Sequence, residues 1–326
     1  MKIKQILIVL GEPHSTFSEI LFKYFNSKEF SKSKKKLILI GSVSLLQKQI
    51  KKIKKIKISL KDNFKIINII KEAQIKKINI LNVDYENKKK LSKISSNSRK
   101  YISNCFKLAL NLVKNNNKTV LINGPISKKH FLNKKYLGIT EYISKKIRSK
   151  NHVMLIYNDK LAVSPLTTHV PLKNVAKNIS KNKIIINVTE IKNFYRNLLN
   201  KKPKIAILGL NPHCETVDKF SEEKEIIIPA INFLKKNRIN INGPFPADTF
   251  FLKKNIKKYD VVIGMYHDQV LTPLKTLYNF NAINLTIGFP FIRISPDHGP
   301  NEKMVGKNLS DPSSIFCAMR FIDRIR

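Results

Sequence analysis

Short apolar runs alternate with longer amphipathic segments along this 326-residue chain. Residues 6–10 and 37–40 are apolar runs that end beside a glycine, which is typical of buried parallel strands. Residues 101–113 instead carry apolar side chains at helical spacing, and residues 119–123 form a further strand-like run closed by Gly-Pro. Residues 78–83 are a weaker strand candidate. The first part of the chain therefore predicts strands that alternate with helices.

The second half of the chain repeats this alternation. The predicted strands are 204–208, 260–264 and 282–286, and the predicted helices are 223–234 and 313–325. Glu222 and Glu223 suit the positive dipole end of the first of these helices. Such alternation is typical of an α/β fold in which helices cover both faces of a mainly parallel sheet. The length allows two such domains.

Three of the seven histidines, His169, His213 and His267, follow soon after an apolar, strand-like run. In an open α/β sheet the carboxyl ends of the strands line one crevice, so three side chains from distant segments can meet there. Neutral imidazole is a common zinc ligand, and three protein ligands with one open position are typical of a catalytic metal site. We therefore predict a shared metal site. The alternative is that each histidine only bonds a neighbouring loop carbonyl.

Several residues near these histidines are candidates for supporting roles. Asp248 or Asp268 is placed to accept the outer N–H of a ligand histidine. Cys214 is either a soft metal ligand or a bystander, and His298 is either a polar contact or a turn residue. The remaining histidines are expected at the surface: His14, His130 and His152.

Lys275 and Arg293 are the only basic residues between positions 259 and 298. A lone cation among apolar residues needs an anionic partner. That partner is either a protein carboxylate or a substrate phosphate or carboxylate, which arginine binds with two parallel hydrogen bonds. The residues themselves leave both possibilities open.

The net charge of +40 comes from 62 basic residues, of which only eight are arginine. Lysine is mixed with isoleucine and asparagine along most of the chain, which indicates a compositional bias. A nucleic-acid groove favours arginine interleaved with aromatic residues, so no dedicated nucleic-acid site is expected. No apolar run approaches the ~20 residues of a membrane span, and three widely spaced cysteines form no disulfide framework. We therefore expect a soluble cytoplasmic protein without a membrane partner.

Several loop segments together resemble the 4-hydroxythreonine-4-phosphate dehydrogenase family, and they occur in family order across nearly the whole chain. The matching segments are Gly-Glu-Pro at 11–13, Asn-Gly-Pro at 123–125, Thr-Thr-His-Val-Pro-Leu at 167–172, Leu-Asn-Pro-His at 210–213, Asn-Gly-Pro-Phe-Pro-Ala-Asp-Thr at 242–249, Met-Tyr-His-Asp-Gln at 265–269, Ile-Asn-Leu-Thr-Ile-Gly-Phe-Pro-Phe-Ile-Arg at 283–293 and Asp-His-Gly at 297–299. Taken as a set, these segments are highly specific.

The resemblance implies a two-domain α/β/α fold like that of the isocitrate and isopropylmalate dehydrogenases. Residues 1–137 with 300–326 would form the first domain, and residues 138–299 the second, which carries the metal ligands. The active site would lie in the cleft between the domains and at the interface of a homodimer. NAD, or NADP, would bind without a Gly-x-Gly-x-x-Gly loop, which this chain lacks after its first strand.

The resemblance also assigns chemistry to individual residues. His169, His213 and His267 would be the catalytic residues and would hold a divalent Zn, Mg or Co ion, with ligands shared between the subunits. Substrate contacts carry over to four further residues: Thr140, Lys275, Asn284 and Arg293. The implied reaction is NAD-dependent oxidation of 4-phosphohydroxy-L-threonine at C3, then decarboxylation to 3-amino-2-oxopropyl phosphate, in pyridoxal 5'-phosphate biosynthesis. The alternatives are a dehydrogenase of another 4-phosphorylated hydroxy acid and a metal-dependent hydrolase.

Two segments depart from the family pattern. Ile139 stands where the family has the histidine of Gly-His-Thr-Glu, and residues 14–18 replace a glycine-rich stretch with His-Ser-Thr-Phe-Ser. The loss of one charge-assisted donor at position 139 would weaken substrate binding by ~1.5–3 kcal/mol unless another group replaces it. These departures bear on the substrate more than on the type of reaction.

Overall fold

The chain forms two compact units, one of residues 1–148 with 290–326 and one of residues 149–289. The computed structural model describes residues 3–53, 64–85, 93–114, 116, 118–133, 135–149, 151–279, 281–295 and 299–325. The family resemblance predicts domain boundaries at 137/138 and 299/300. The compact units change at 148/149 and 289/290, and Thr140 and Arg293 both lie in the first unit.

All neighbouring strands of the first unit are parallel, in the order β3-β4-β2-β1-β5-β12. Their bounds are Gln5–Val9 (β1), Lys36–Gly41 (β2), Phe64–Ile67 (β3), Ile78–Asn82 (β4), Thr119–Asn123 (β5) and Ile292–Ser295 (β12). β1, at the centre, is buried along its whole length. This explains why residues 6–9 are a continuous apolar run and do not alternate with polar residues.

The helices of the first unit follow the strands in the chain. They are Phe17–Phe25 (α1), Lys28–Lys32 (α2), Val43–Lys52 (α3), Arg99–Lys114 (α4), Ile139–Ile147 (α5) and Ser313–Arg324 (α11). The predicted helix 101–113 is confirmed as α4, which buries Ile102, Phe106 and Leu110 on one face. The predicted closing helix is confirmed as α11.

The second unit contains one reversed strand. Its strand order is β11-β6-β7-β10-β8-β9, in which β6 is antiparallel to both of its neighbours and the other neighbouring pairs are parallel. The bounds are Val153–Tyr157 (β6), Ala162–Thr167 (β7), Ile205–Leu208 (β8), Ile241–Phe245 (β9), Val261–Tyr266 (β10) and Ile283–Ile287 (β11). The mainly parallel α/β architecture is therefore confirmed.

Of the helices described in the second unit, the sequence analysis predicted only the one within residues 223–236, and the longest that it missed is Lys181–Leu199 (α6). The other described helices are Ile228–Lys236 (α7), Ala247–Phe250 (α8), Lys253–Ile256 (α9) and His267–Tyr278 (α10). Helix α6 lies in a lysine- and asparagine-rich stretch, where the apolar periodicity is diluted. Its buried face is nonetheless regular, with Ile184, Val188 and Ile191 fully covered and Ser180 capping the first turn by accepting from Lys183 N.

The predicted helix 223–234 begins with an irregular turn. Residues Glu223–Ile227 form a π-helical turn that leads directly into α7. At the start of this turn, Glu223 Oε1 accepts a hydrogen bond from the backbone N–H of Leu210, so its carboxylate binds a loop in addition to facing the helix dipole. Within the described residues, no helix combines the length and apolarity needed to cross a membrane.

Candidate active site

The three strand-end histidines lie at one edge of the second unit's sheet. Strands β7, β10 and β8 are parallel neighbours, so their carboxyl ends point the same way. His169 follows the end of β7, and His267 is the first residue of α10, directly after β10. Their ring centroids are 6.4 Å apart. His213 lies in the 3-10 turn after β8, where its φ of 54° is left-handed and its side chain is exposed.

The three imidazoles have the donor chemistry that a divalent ion requires, but only two of them lie close together. His169 and His267 are close neighbours, and neutral imidazole suits zinc and related ions. In the part of the chain that the structure describes, no three His, Cys, Asp or Glu side chains are grouped closely enough to hold a metal ion. The structure therefore brings two of the three predicted ligands together and leaves His213 on a separate turn.

Asp268 orients one of these imidazoles. His267 Nδ1 and Asp268 Oδ1 are 2.6 Å apart. With a carboxylate accepting from Nδ1–H, the ring presents the lone pair of Nε2, as a metal ligand requires. Of the two aspartates proposed for this role, Asp268 therefore makes the contact, whereas Asp248 lies in α8 with an exposed side chain.

Two of the predicted substrate residues, Arg293 and Thr140, are joined by a direct hydrogen bond. Arg293 Nη1 donates to Thr140 Oγ1 at 2.8 Å, and Arg293 Nε donates to Asn123 Oδ1 at 2.8 Å. The three residues come from β12, α5 and the end of β5. Asn123 belongs to the Asn-Gly-Pro segment but was not predicted as a site residue.

Arg293 is only 1% exposed. Burial lowers the pKa of Arg293 to about 10, and the field of Glu141 acts in the opposite direction. Arg293 therefore remains a cation at neutral pH, and the negative charge of Glu141 favours that charged form. The other two predicted substrate residues lie in the second unit, Lys275 in the last turn of α10 and Asn284 on β11.

Glu12, in the Gly-Glu-Pro segment, is an ionisable residue that the sequence analysis did not single out. Its side chain is 3% exposed, and burial raises its pKa to about 7 against opposing hydrogen bonds from Ser98 and from the backbone of His14. A nearby Glu302 raises the pKa further. Glu12 therefore titrates near neutral pH at the carboxyl end of β1.

The histidines expected at the surface are half-buried, which corrects that prediction: His14, His130 and His152. His14 Nε2 lies 3.8 Å from Glu302 Oε1, and the His152 ring packs 5.7 Å from that of Phe289. Burial raises the pKa of the Cys214 thiol, which disfavours the thiolate that metals bind. Asp297 and His298 lie outside the described residues.

The sequence profile of one family, described as "Pyridoxal phosphate biosynthetic protein PdxA", matches residues 33–322. The chain belongs to the PdxA family. A relative from Sulfurihydrogenibium sp. named 4-hydroxythreonine-4-phosphate dehydrogenase is 37% identical over 97% of this chain and 96% of its own length. More distantly, the D-threonate 4-phosphate dehydrogenase of Salmonella typhimurium is 29% identical over 92% of each chain.

Solved structures agree with membership of the PdxA family. A putative 4-hydroxythreonine-4-phosphate dehydrogenase from Salmonella typhimurium superimposes with a TM-score of 0.83 at 27% identity, covering 98% of this chain and 99% of that one. The isocitrate dehydrogenase of Methylococcus capsulatus matches at 8% identity with a TM-score of 0.54, over 98% and 85% of the two chains. The predicted likeness to the isocitrate dehydrogenase fold is therefore confirmed.

Proposed function

We propose that this protein is a metal- and NAD-dependent dehydrogenase that converts 4-phosphohydroxy-L-threonine to 3-amino-2-oxopropyl phosphate in pyridoxal 5'-phosphate biosynthesis. In the proposed reaction a hydride passes from C3 to the nicotinamide of NAD, or of NADP, while the hydroxyl proton is released. The resulting β-keto acid then loses CO₂, and the carbon that carried the carboxylate takes up a proton. Each step conserves atoms and electrons without a further reagent.

The main support for this proposal is the hydrogen bond between Arg293 and Thr140. Both residues correspond to substrate contacts of the family, and they are joined at 2.8 Å although 153 positions separate them. A buried cation beside a hydroxyl suits a phosphate or carboxylate, because charge-assisted hydrogen bonds are roughly twice as strong as neutral ones. We assign Lys275 and Asn284 to the same substrate. Binding energy from these groups would orient the carbon that reacts.

His169, His213 and His267 would hold the divalent ion, and Asp268 would fix the tautomer of His267. When bound, a divalent ion lowers the pKa of an alcohol and stabilises negative charge on a neighbouring oxygen. We propose that His169 and His267 supply neutral imidazole nitrogens from just beyond the ends of β7 and β10. His213 would complete the set, with the ligands shared between the subunits of a cytoplasmic homodimer.

The proposed activity is tested by following NADH formation from 4-phosphohydroxy-L-threonine before and after chelation, with Zn²⁺, Mg²⁺ or Co²⁺ added back. We expect loss on chelation, recovery with at least one ion, and loss in His213→Ala. The matched control is His130→Ala, a half-buried histidine of the first unit, which should retain activity. NADH formation unaffected by chelation and by His213→Ala would contradict the proposal.

Ligand sharing is tested by mixing two inactive variants. If each site takes the His169–His267 pair from one subunit and His213 from the other, mixed dimers of His213→Ala and His169→Ala contain one site with all of its ligands. Activity should therefore return after the two proteins are unfolded together and refolded. No recovery in dimers of proven mixed composition would show that each chain supplies its own ligands.

A different phosphorylated substrate is favoured by one observation, Ile139 at the start of α5 in place of a family histidine. The experiment compares kcat/KM for 4-phosphohydroxy-L-threonine and D-threonate 4-phosphate in wild type and Ile139→His. A wild-type preference for D-threonate 4-phosphate would assign that substrate. Metal-dependent phosphate release without NADH would indicate a hydrolase instead.

A further inference from the structure

Side chains other than the histidines connect the carboxyl ends of β7, β10 and β8 in the second unit. Thr167 Oγ1 donates to the carbonyl of Met265 at 2.7 Å, which ties the end of β7 to β10. Gln269 Nε2 donates to the carbonyl of Gly209 at 2.8 Å, and Gln269 Oε1 accepts from the backbone N–H of Met265 at 2.7 Å. One amide group thus bridges β10 and the loop after β8, using both of its polar atoms.

A buried carboxylate holds the same loop from its other side. Glu223 is 1% exposed, and its Oε1 accepts from the backbone N–H groups of Leu210 at 2.7 Å and Asn211 at 2.9 Å. Its Oε2 accepts from Asn211 Nδ2 at 2.9 Å. Burial raises the pKa of Glu223, but these hydrogen bonds outweigh it and the pKa is lowered overall. Glu223 is therefore a carboxylate at neutral pH.

The loop that these two side chains hold, residues 209–214, has a backbone that needs support. His213 and Cys214 both have left-handed φ angles, 54° and 62°. Non-glycine residues pay about 1–2 kcal/mol each in this region, and such conformations persist where the surroundings impose them. Gly209 lies so close to Cys214 that a Cβ at position 209 would be 2.7 Å from Cys214 Sγ.

We propose that Gln269 and Glu223 are positioning residues that set the conformation of the 209–214 loop and thereby make His213 available as a metal ligand. This inference rests on the proposed metal site. Neither residue needs to contact the ion or the substrate, because both act through backbone groups two to four positions before the histidine. Gln269 in addition fixes the 209–214 loop to the strand that precedes His267. The arrangement thus couples the placement of two ligands from different strands.

The test measures Co²⁺ affinity by the visible absorption of the bound ion, with catalytic activity recorded separately. The variants are Gln269→Leu, which removes both hydrogen bonds, and Glu223→Gln, which removes the charge at nearly constant volume. Loss of supporting groups around metal ligands weakens metal binding by about 10–100-fold, and we expect a loss in that range for each variant. At saturating Co²⁺ the absorption spectrum should return to that of wild type, because the ligands themselves are intact.

Two matched controls separate positioning from general effects. Glu225→Gln changes an exposed carboxylate of the same π-helical turn, and Asn237→Ala removes an exposed side-chain amide that donates to Phe233 O. Both should bind Co²⁺ like wild type. Melting temperatures of the metal-free proteins show which variants fold. If Gln269→Leu does not fold, Gln269→Glu takes its place, since it retains the acceptor for Met265 N–H and loses the donor to Gly209.

The possible outcomes distinguish this inference from the proposed function. If wild type binds Co²⁺, His213→Ala weakens binding, and the Gln269 and Glu223 variants bind like wild type, then the positioning role is wrong and the metal site stands. If wild type binds no Co²⁺ through histidine, both proposals fail. A lower melting temperature with unchanged Co²⁺ affinity would assign the two residues to stability alone.

Discussion

Glu19 in α1 accepts a hydrogen bond from the backbone N–H of Ser310 at 2.8 Å, although the two residues are 291 positions apart. The same carboxylate accepts from Asn308 N at 3.1 Å and lies 3.4 Å from Lys23 Nζ. Lys23 Nζ in turn donates to the backbone carbonyls of Asn308 and Ser310. One ion pair with a buried carboxylate thus fixes residues 308–310 of the C-terminal segment to the first helix.

Replacing Glu19 should therefore lower the stability of the first unit. Glu19→Gln leaves a neutral amide where two backbone N–H groups and an ammonium need an anion, and we expect a loss of about 1–3 kcal/mol in the free energy of unfolding. Urea denaturation followed by circular dichroism measures the change. The control Glu29→Gln removes an exposed ion pair with Arg320 and should change stability by under about 1 kcal/mol. Equal effects of the two variants would contradict this account.

Thr140 should contribute to substrate affinity through its bond with Arg293. Thr140→Val keeps the shape of the side chain but removes the acceptor, leaving a charged donor unmatched at a cost of about 1.5–3 kcal/mol. If the pair binds the substrate, KM rises by about 10-fold or more with a smaller change in kcat. Thr140→Ser, which keeps the hydroxyl, should stay close to wild type. Steady-state kinetics with varied phosphorylated substrate checks both variants.

The close contact between Gly209 and Cys214 predicts a compensating pair of substitutions. Gly209→Ala places its Cβ 2.7 Å from Cys214 Sγ and 3.1 Å from Glu223 Oε1, so the Cys214 side chain or the 209–214 loop that carries it must shift. We expect about 10-fold or greater loss of kcat/KM, partly restored when Cys214→Ala is added. Cys214→Ala by itself should retain activity, since its thiol is not proposed as a ligand. Inactive Cys214→Ala that has also lost Co²⁺ would instead favour the soft-ligand alternative.

Stability should fall as the pH rises through the range in which Glu12 is protonated only in the folded protein. Its pKa is about 7 in the folded protein against a reference of 4.5, so the folded state binds more protons between these values. The free energy of unfolding therefore decreases from about pH 4.5 to 7, by up to about 3 kcal/mol from this group. Glu12→Gln should remove that part of the slope and gain stability relative to wild type at pH 8. Parallel pH profiles for the two proteins would contradict the shift.

The high net charge predicts salt-sensitive binding to nucleic acid. With +40 charges but no dedicated groove expected, RNA should bind through its phosphates alone. Affinity should then fall by about 10³-fold or more between 50 and 200 mM salt and show no preference for sequence. Filter binding with two unrelated RNAs checks this. Tight binding that persists at 200 mM salt would point to a dedicated site.

The parts of the fold that sequence analysis predicted are those with strong local patterns. The continuous apolar runs of β1, β2 and β5 and the regular apolar face of α4 were sufficient to predict those elements. Helix α6 was missed because the many lysine and asparagine residues around its buried face dilute the apolar periodicity of the sequence. β6 was not assigned, and its antiparallel direction depends on the strands beside it, which its own residues do not specify.

In the candidate site, too, the features that could be predicted are those set by local sequence. The strand-end positions of His169 and His267 follow from local runs, and the structure brings their rings together. The hydrogen bond of Arg293 to Asn123 and the bridge from Gln269 to Gly209 depend on which strands become neighbours, which the local sequence runs do not specify. Glu223 illustrates the difficulty, because its sequence context indicates a helix-dipole partner whereas its carboxylate binds a loop 12 or 13 positions earlier.

The parallel pairing of β12 with β5 has a consequence for synthesis on the ribosome. Residues 149–289 form one contiguous unit and are complete before β12 is made, whereas the first unit needs residues 290–326. Until then the β5 edge carries unpaired N–H and C=O groups, which can template pairing with another chain. During synthesis, residues 1–148 are therefore exposed to misassembly for the longest time. They are made first, but the unit to which they belong is completed last.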